Sequence, residues 1–294
     1  MLPYLVTIAI MIGIYGLLTL GLNLQYGYTG LINFGHVAFF AIGAYTSALI
    51  SLAGYPIALG MAAGTVLAFL AAYPLGLLCL RLRADYLAIV TLSFSEIIRT
   101  VLISEEWLTE GTQGLPGIPK PFSSLSQGNA DLAYLALVAT AMLVAILLMW
   151  RLSHSPFGRL IRAVRDDEDA VRAVGKDPAQ LKIKTLMLGA ALAGLAGAFY
   201  AHYVGYISPD QFLPLVTFYA WIALIMGGAG TITGAIVGSS LLLFILEGSR
   251  FLRDVVPFVS EVQMASLRLA VIGLGLVLFM LYRPQGLIPD RSQS

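Results

Sequence analysis

Charge is missing from the first 80 residues: no Lys, Arg, Asp or Glu precedes Arg81. Across all 294 residues, charged side chains make up 11% and hydrophobic ones 59%. A soluble domain carries about a quarter charged residues, so a water-soluble globule is excluded. Cysteine is nearly absent. Cys79 stands alone, which excludes an internal disulfide and a Cys-based metal site. The pattern G-x-x-x-x-G-K-[ST] occurs nowhere, so ATP is not bound through that phosphate-cradling loop. The opening MLPYLVTIAI has no basic leader and no small-residue cleavage site before a hydrophilic domain. It reads as a first membrane span, not as a removed signal peptide.

What the chain does have is long apolar runs. About 20 apolar residues cross a bilayer as a helix. Candidate spans are 3–25, 36–53, 55–80, 86–103, 132–150, 182–206, 214–229, 231–247 and 264–282. Several are marginal or interrupted by Gly pairs, so about 8 to 10 transmembrane helices are expected. In lipid every backbone polar group must bond within its segment. The expected fold is therefore an all-α, polytopic helical bundle forming one integral membrane domain over 1–294. With nine spans, 12 of the 17 basic residues fall on one side: Arg81, Arg83, the eight of 151–184, Arg283 and Arg291. The other side holds Lys120, Arg250 and Arg253, while Arg99 and Arg268 lie within spans. The basic side is expected to be cytoplasmic, placing the C-terminus inside and the N-terminus outside.

Small residues recur every four positions in three spans: Gly60, Gly64, Ala68, Ala72 and Gly76; Gly189, Ala193 and Gly197 beside Ala190, Gly194 and Ala198; and Gly230, Gly234 and Gly238. Such strips let helices approach closely, and their repetition suits a multi-helix channel or transporter.

Two stretches interrupt the apolar pattern. LNLQYGYTGLINFGH (22–36) carries Asn23, Gln25, Thr29, Asn33 and His36 among glycines. Irregular backbone at membrane depth is tolerated only inside protein or beside a water-filled cavity. The stretch is then either lining of a translocation pathway or a polar loop with satisfied amides. MGGAGTITG (226–234) is either a tight turn between spans or a broken helix. Glu96 and Arg99 share a helix face at i, i+3 and can pair. They join the pathway candidates, as ionisable groups within spans do by default. Glu247 and Arg268 lie at outer span ends, where long side chains reach water at little cost.

The segment 151–184 gathers 13 of the chain's 33 charged residues. Asp166 is expected to cap a short helix, with Asp167 and Glu168 in its first turn. Gly175 suits the position just past its end, and Asp177-Pro178 restarts a helix that continues into the sixth span. Leu160, Val164, Val171 and Val174 recur at spacings of 4, 7 and 3, giving that helix an apolar stripe. So short a helix is marginal alone and needs the bundle's end or another protein to lie against. No His, Cys or Ser joins the carboxylates in a catalytic arrangement, and five acids offset eight bases, which argues against nucleic acid. A solvated loop and a docking surface remain, and the helix–Gly–helix order favours docking.

These residues carry a resemblance. SPFGRLIRAVRDDEDAVRAVGKDPAQLKIKTLMLGAALAGLAGAFYAHYVGYISPDQF (155–212) resembles the signature of the permease subunits of branched-chain amino acid ABC importers, in particular the M-type partner of the two-permease pair. Its core stands here as Arg162, Ala163, Arg165, Ala170 and Gly175. GLNLQYGYTGLINFGHVAFFAIGAY (21–45), RLRADYLAIVTLSFSEIIR (81–99), TQGLPGIPKP (112–121) and GGAGTITGAIVGSSLL (227–242) are similar to further family segments. The resemblance implies a cytoplasmic coupling helix within about 151–182 that docks on an ATPase. Arg162, Ala163, Arg165, Glu168, Ala170, Val171, Val174 and Gly175 are its contact candidates. It implies no cofactor on this chain, with ATP and Mg on two partner ABC ATPase subunits. It also implies a homologous second permease, an extracytoplasmic binding protein, and a place in the bacterial inner membrane. The family also contains permeases for urea and short amides. A rival class, the ion-coupled secondary transporter, would need paired carboxylates deep in the bundle, which the span middles lack. An intramembrane hydrolase would need a nucleophile–base or metal-ligand motif, and none stands out.

Overall fold

The computed structural model describes residues 2–79, 84–123, 126–255, 270, 273–275, 277, 279, 281–283 and 285–288. Helices account for nearly all of the long elements. They are α1 (Leu2–Gln25), α2 (His36–Leu52), α3 (Ile57–Cys79), α4 (Ala84–Ser104), the short α5 (Glu106–Thr109), α6 (Gln127–His154), α7 (Pro156–Asp166), α8 (Glu168–Ala173), α9 (Pro178–Val204), α10 (Pro214–Gly227) and α11 (Ile232–Val255). Extended pairing among the described residues is one isolated antiparallel bridge, Leu115 with Ile207. Among the described residues, six helices are long and apolar enough to cross a membrane, and the apolar helices His36–Leu52 and Ile232–Leu246 are shorter. The polytopic helical bundle expected from the apolar runs is what forms. The ninth expected span, 264–282, falls largely outside the described residues, as do Arg81, Arg83, Arg268, Arg291 and the side chains of Glu247, Arg250 and Arg253.

α2, α3 and α9 form the centre, and α1 lies against α9. The small-residue rows are where these helices meet. A Cβ on Gly43 of α2 would run into the Gly194 carbonyl of α9, and one on Gly64 of α3 would lie 2.6 Å from the Gly43 carbonyl. A Cβ on Gly21 of α1 would lie 2.6 Å from the Gly189 carbonyl, and the reverse substitution meets Gly21 in the same way. Three helix backbones thus cross at three glycines, and Ala68 and Ala72 are fully buried further along the α3 strip. Since lipid tails are as apolar as leucine, this contact derives from close packing rather than from hydrophobic expulsion.

The Gly-rich stretch is a tight turn. α10 ends at Gly227 and α11 begins at Ile232, with Gly228 at φ +111° and Gly230 at φ +88°. Both values lie in the region that favours glycine. The two helices fold back on each other, Gly234 and Gly238 of α11 packing against Gly227 and the Ala223 carbonyl of α10. Residues 285–288 return to this turn through Leu287 N–H to the Met226 carbonyl (2.9 Å) and Ile288 N–H to the Gly227 carbonyl (3.0 Å).

Candidate functional site

The charged segment folds as two short helices. Ser155 caps α7 by accepting from the Gly158 N–H at 3.2 Å, and Pro156 occupies the first turn. The chain breaks at Asp167, whose carboxylate accepts from Asp169 N–H (2.9 Å) and Ala170 N–H (3.0 Å) to open α8. The cap expected at Asp166 therefore lies one residue later. Asp166 stays in α7, where it accepts from Arg165 Nε at 3.0 Å. Among four consecutive acids, the one whose backbone leaves the helical region becomes the cap. Gly175, at φ +74°, follows the end of α8, and Asp177 with Pro178 starts α9, both as expected.

The apolar stripe divides between two environments. Val164 and Val171 are buried with Ile161, against Leu24, Tyr28, Met149 and Leu181, and Leu160 packs at the edge of this cluster. Val174 points away, 73% exposed. The seat for this segment is therefore the chain's own bundle, and the surface open to a partner is a different one. Ala163, Asp169, Ala170, Arg172, Val174 and Gly175 are exposed on it. The two signature arginines turn inward. Arg162 Nη2 donates to the Ser153 carbonyl at 2.6 Å and lies over the Tyr28 ring, 6.0 Å from its centroid. Arg165 Nη1 donates to the Gly27 carbonyl at 2.7 Å. Glu168 pairs with Lys182 of α9 and with Arg172, which fastens α8 to the next helix.

Arg165 connects this segment to the polar break at 22–36. Asn23, Gln25, Thr29, Asn33 and His36 are all fully or almost fully buried. Asn23 clamps the Gly-rich turn, its Nδ2 donating to the Thr231 carbonyl and its Oδ1 accepting from Gly230 N–H, both at 2.9 Å. Gln25 donates to the Leu186 carbonyl (3.1 Å) and accepts from Asn33 Nδ2 (2.8 Å), while Asn33 Oδ1 holds the Gly35 N–H (2.9 Å). Thr29 Oγ1 donates to the Leu24 carbonyl at 3.3 Å, and His36 Nε2 lies 3.1 Å from the Leu18 carbonyl. Backbone groups of the break and of the first turn of α2 also find partners on neighbouring helices: Phe34 N–H on Thr91, Val37 N–H on Thr217 and the Asn33 carbonyl on Trp221 Nε1. Side chains and neighbouring helices thus satisfy a non-helical stretch where water is scarce.

Asn23→Leu keeps the approximate size but removes both clamp bonds, leaving the part-buried Gly230 N–H unpaired and the Thr231 carbonyl with its bond from Ala235 N–H alone. A lost hydrogen bond costs ~0.5–1.5 kcal/mol and an unpaired donor more, so a lower melting temperature is expected for the purified chain. An unchanged melting curve in differential scanning fluorimetry would show that the clamp contributes nothing.

At the opposite end, Glu96 and Arg99 pair at 3.1 Å, and Arg99 also faces Asp210 at 3.6 Å. One contact there is not among those expected from sequence. His202 of α9 lies 2.8 Å from Ser47 Oγ of α2 and 2.8 Å from the Pro119 carbonyl, tying the 115–120 loop to the central helix pair. The available signal was a histidine in an otherwise apolar span, and its partners are 155 and 83 residues away.

The family described as "Branched-chain amino acid transport system / permease component" matches residues 4–280. The chain is 37% identical to the high-affinity branched-chain amino acid transport system permease protein LivM of Salmonella typhimurium, over 97% of this chain and 70% of that protein. It is 35% identical to LivM of Escherichia coli K12, over the same shares. It is also 25% identical to the permease protein LivH of Salmonella typhimurium, over 78% of this chain and 79% of that one. No solved structure matches the chain significantly.

Proposed function

Because the chain belongs to the family of branched-chain amino acid transport permease components, we propose that it carries branched-chain amino acids inward as one of two permeases in an ATP-driven importer. The observation that supports this most directly is the segment 156–177, two capped helices seated on the bundle with one exposed face. The second permease is a homologue, a reading supported by the likeness to both LivM and LivH. ATP and Mg are bound by two ATPase subunits that dock on the exposed face of α7 and α8. That end is the cytoplasmic one, and the C-terminus lies there with it. An extracytoplasmic protein delivers substrate to the other end, near 104–131.

Coupling derives from rigidity. Force on α8 reaches α9 through Glu168–Lys182, and force on α7 reaches the break at 26–30 through Arg165 and the Gly27 carbonyl. Asn23 then passes it to the turn between α10 and α11. The buried polar side chains of the break work as joints that let helices shift as units, with Asn23, Gln25, Thr29, Asn33 and His36 next to the passage.

Uptake of labelled leucine into proteoliposomes tests the reading. The liposomes would hold this chain, its co-encoded permease and ATPases, with ATP inside and the binding protein outside. Uptake that needs both ATP and the binding protein is expected. Uptake by this chain alone, driven by an ion gradient, would overturn it. In the same assay Arg165→Ala is expected to lower transport per ATP hydrolysed about tenfold, since one charge-assisted hydrogen bond is worth ~1.5–3 kcal/mol. The ratio is the informative quantity, because a mere loss of assembled complex lowers both rates together.

A further inference from the structure

The end of the bundle opposite the coupling segment carries a group of side chains with unmet bonding capacity. One guanidinium, Arg99 on α4, faces two carboxylates, Glu96 at 3.1 Å and Asp210 at 3.6 Å. The trio is one negative charge in excess. Only the Glu96 contact is within hydrogen-bond distance, which leaves the terminal nitrogens of Arg99 able to donate elsewhere. At the same end, the Tyr45 hydroxyl of α2 is buried without a hydrogen-bond partner, and so is Gln211 Oε1, next in sequence to Asp210. The Tyr45 ring packs 5.7 Å from Phe212, which ends the turn that carries both Asp210 and Gln211. A buried polar atom without a partner is costly and rare, and two such atoms, one on the turn that carries Asp210 and one on a ring packed against that turn, point to a ligand.

Next to these groups is an aromatic socket. Phe212 packs among Phe40 (centroids 5.6 Å apart), Tyr45 (5.7 Å) and Tyr200 (6.2 Å), and it is 1% exposed. Phe212 ends a single 3-10 turn, Pro209–Phe212, which also carries Asp210 and Gln211. The apolar plug and the polar groups therefore travel on one short element.

We infer that this end holds a receiving site for a zwitterionic α-amino acid with an apolar side chain. Its ammonium is taken by Asp210, Gln211 Oε1 and the Tyr45 oxygen, its carboxylate by Arg99, and its side chain by the Phe40–Phe212 socket. An ammonium has three donors and the site offers three acceptors. A carboxylate matches the planar guanidinium fork. A branched aliphatic side chain replaces aromatic contacts as the 3-10 turn shifts. The inference rests on the transport reading and adds where substrate is received.

The test uses the complete importer in proteoliposomes with saturating binding protein, reading the leucine uptake rate. Asp210→Asn and Tyr45→Phe are close in size to the parent. Each is expected to reduce the rate about tenfold, the effect of one lost charge-assisted hydrogen bond. Tyr55→Phe, an exposed tyrosine in the turn after α2, is the control and should match the parent. A second arm measures binding to the detergent-solubilised permease pair by calorimetry. L-Leucine is expected to bind, while 4-methylpentanoate, which lacks the ammonium, and isoamylamine, which lacks the carboxylate, are each expected to bind at least about tenfold more weakly. Ethanolamine competing as well as leucine would mean that the site reads a lipid headgroup, and would overturn the assignment. Normal uptake by both variants overturns the site alone. No leucine uptake by the parent overturns the transport reading and the site with it.

Discussion

Gly43→Val is expected to leave almost no folded protein in the membrane fraction. The new Cβ would meet the Gly194 carbonyl, and Gly43 is itself the contact that Gly64 of α3 needs. No rotamer relieves this, because the obstacle is backbone of another helix. α2 and α9 would have to separate along their shared length. Overpacking a core costs ~1–3 kcal/mol when side chains can move, and more when they cannot. The loss compounds here, since α2, α3 and α9 meet at one point and separating one pair loosens the other two. Gly194→Ala, whose Cβ would meet Ala68 Cβ at 2.5 Å and the Gly64 carbonyl at 3.1 Å, is expected to do less, because the overlap is smaller and alanine adds no γ-methyl groups. Gly128→Ala is the control. Nothing lies within 4 Å of its Cβ, and it sits at the start of α6, where Ala should stabilise the helix by up to roughly 1 kcal/mol. Fluorescence-detected size-exclusion of the three variants checks the order. Equal monodisperse yields for Gly43→Val and Gly128→Ala would show that the three-glycine crossing does not hold the bundle together.

That crossing was legible in the sequence as rows of small residues, because a four-residue spacing is a local property of one helix. Which helix faces which row was not, since Gly43 belongs to no such row and meets Gly194 across 151 residues of chain. The same boundary runs through the polar break. Its amides announce irregular backbone, yet they do not say that Asn23 holds Gly230 or that Gln25 holds Leu186. The long-range partner decides whether such a group lines a passage or locks a joint, and polarity alone is common to both. In the charged segment, Gly175 and Asp177-Pro178 were unambiguous because a positive φ favours glycine and Asp177, placed directly before a first-turn proline, has no neighbouring carboxylate to compete as cap. The acidic run was not. Four neighbouring carboxylates can each cap, and the choice of Asp167 depends on where α7 stops against the bundle. A period of apolar residues likewise assumes one continuous helix. The chain breaks at Asp167 and α8 ends at Ala173, so Val174 lies past the helix to which its spacing assigned it and leaves the stripe. At the other end, Tyr45 and Asp210 carried no signal at all, since neither a tyrosine in an apolar span nor an aspartate in a loop is unusual until the fold packs Tyr45 against the turn that carries Asp210.

The divided stripe gives a sharper test of docking than any change to the whole segment. Val174→Asp adds a charge to an exposed position and should leave the melting temperature of the isolated chain unchanged, as surface substitutions usually do, within about 0.5 kcal/mol. Its effect is expected on assembly. In the proposed complex an apolar contact would become a desolvated carboxylate, and co-purification of the ATPases should fall about tenfold or more. Val171→Asp is expected to fail differently. Val171 is 3% exposed between α8 and the bundle, with Val164, Leu24 and Leu181 around it. An unpaired carboxylate there costs several kcal/mol, enough to lift α8 from its seat, so the isolated chain itself should melt earlier and α8 should become accessible to protease. If Val174→Asp keeps its ATPases and its uptake rate, the exposed face is a solvated loop and the coupling surface lies elsewhere. If Val171→Asp melts like the parent, α8 is not held by this cluster. Force applied to the exposed face would then not reach α9 along the route through Glu168 and Lys182.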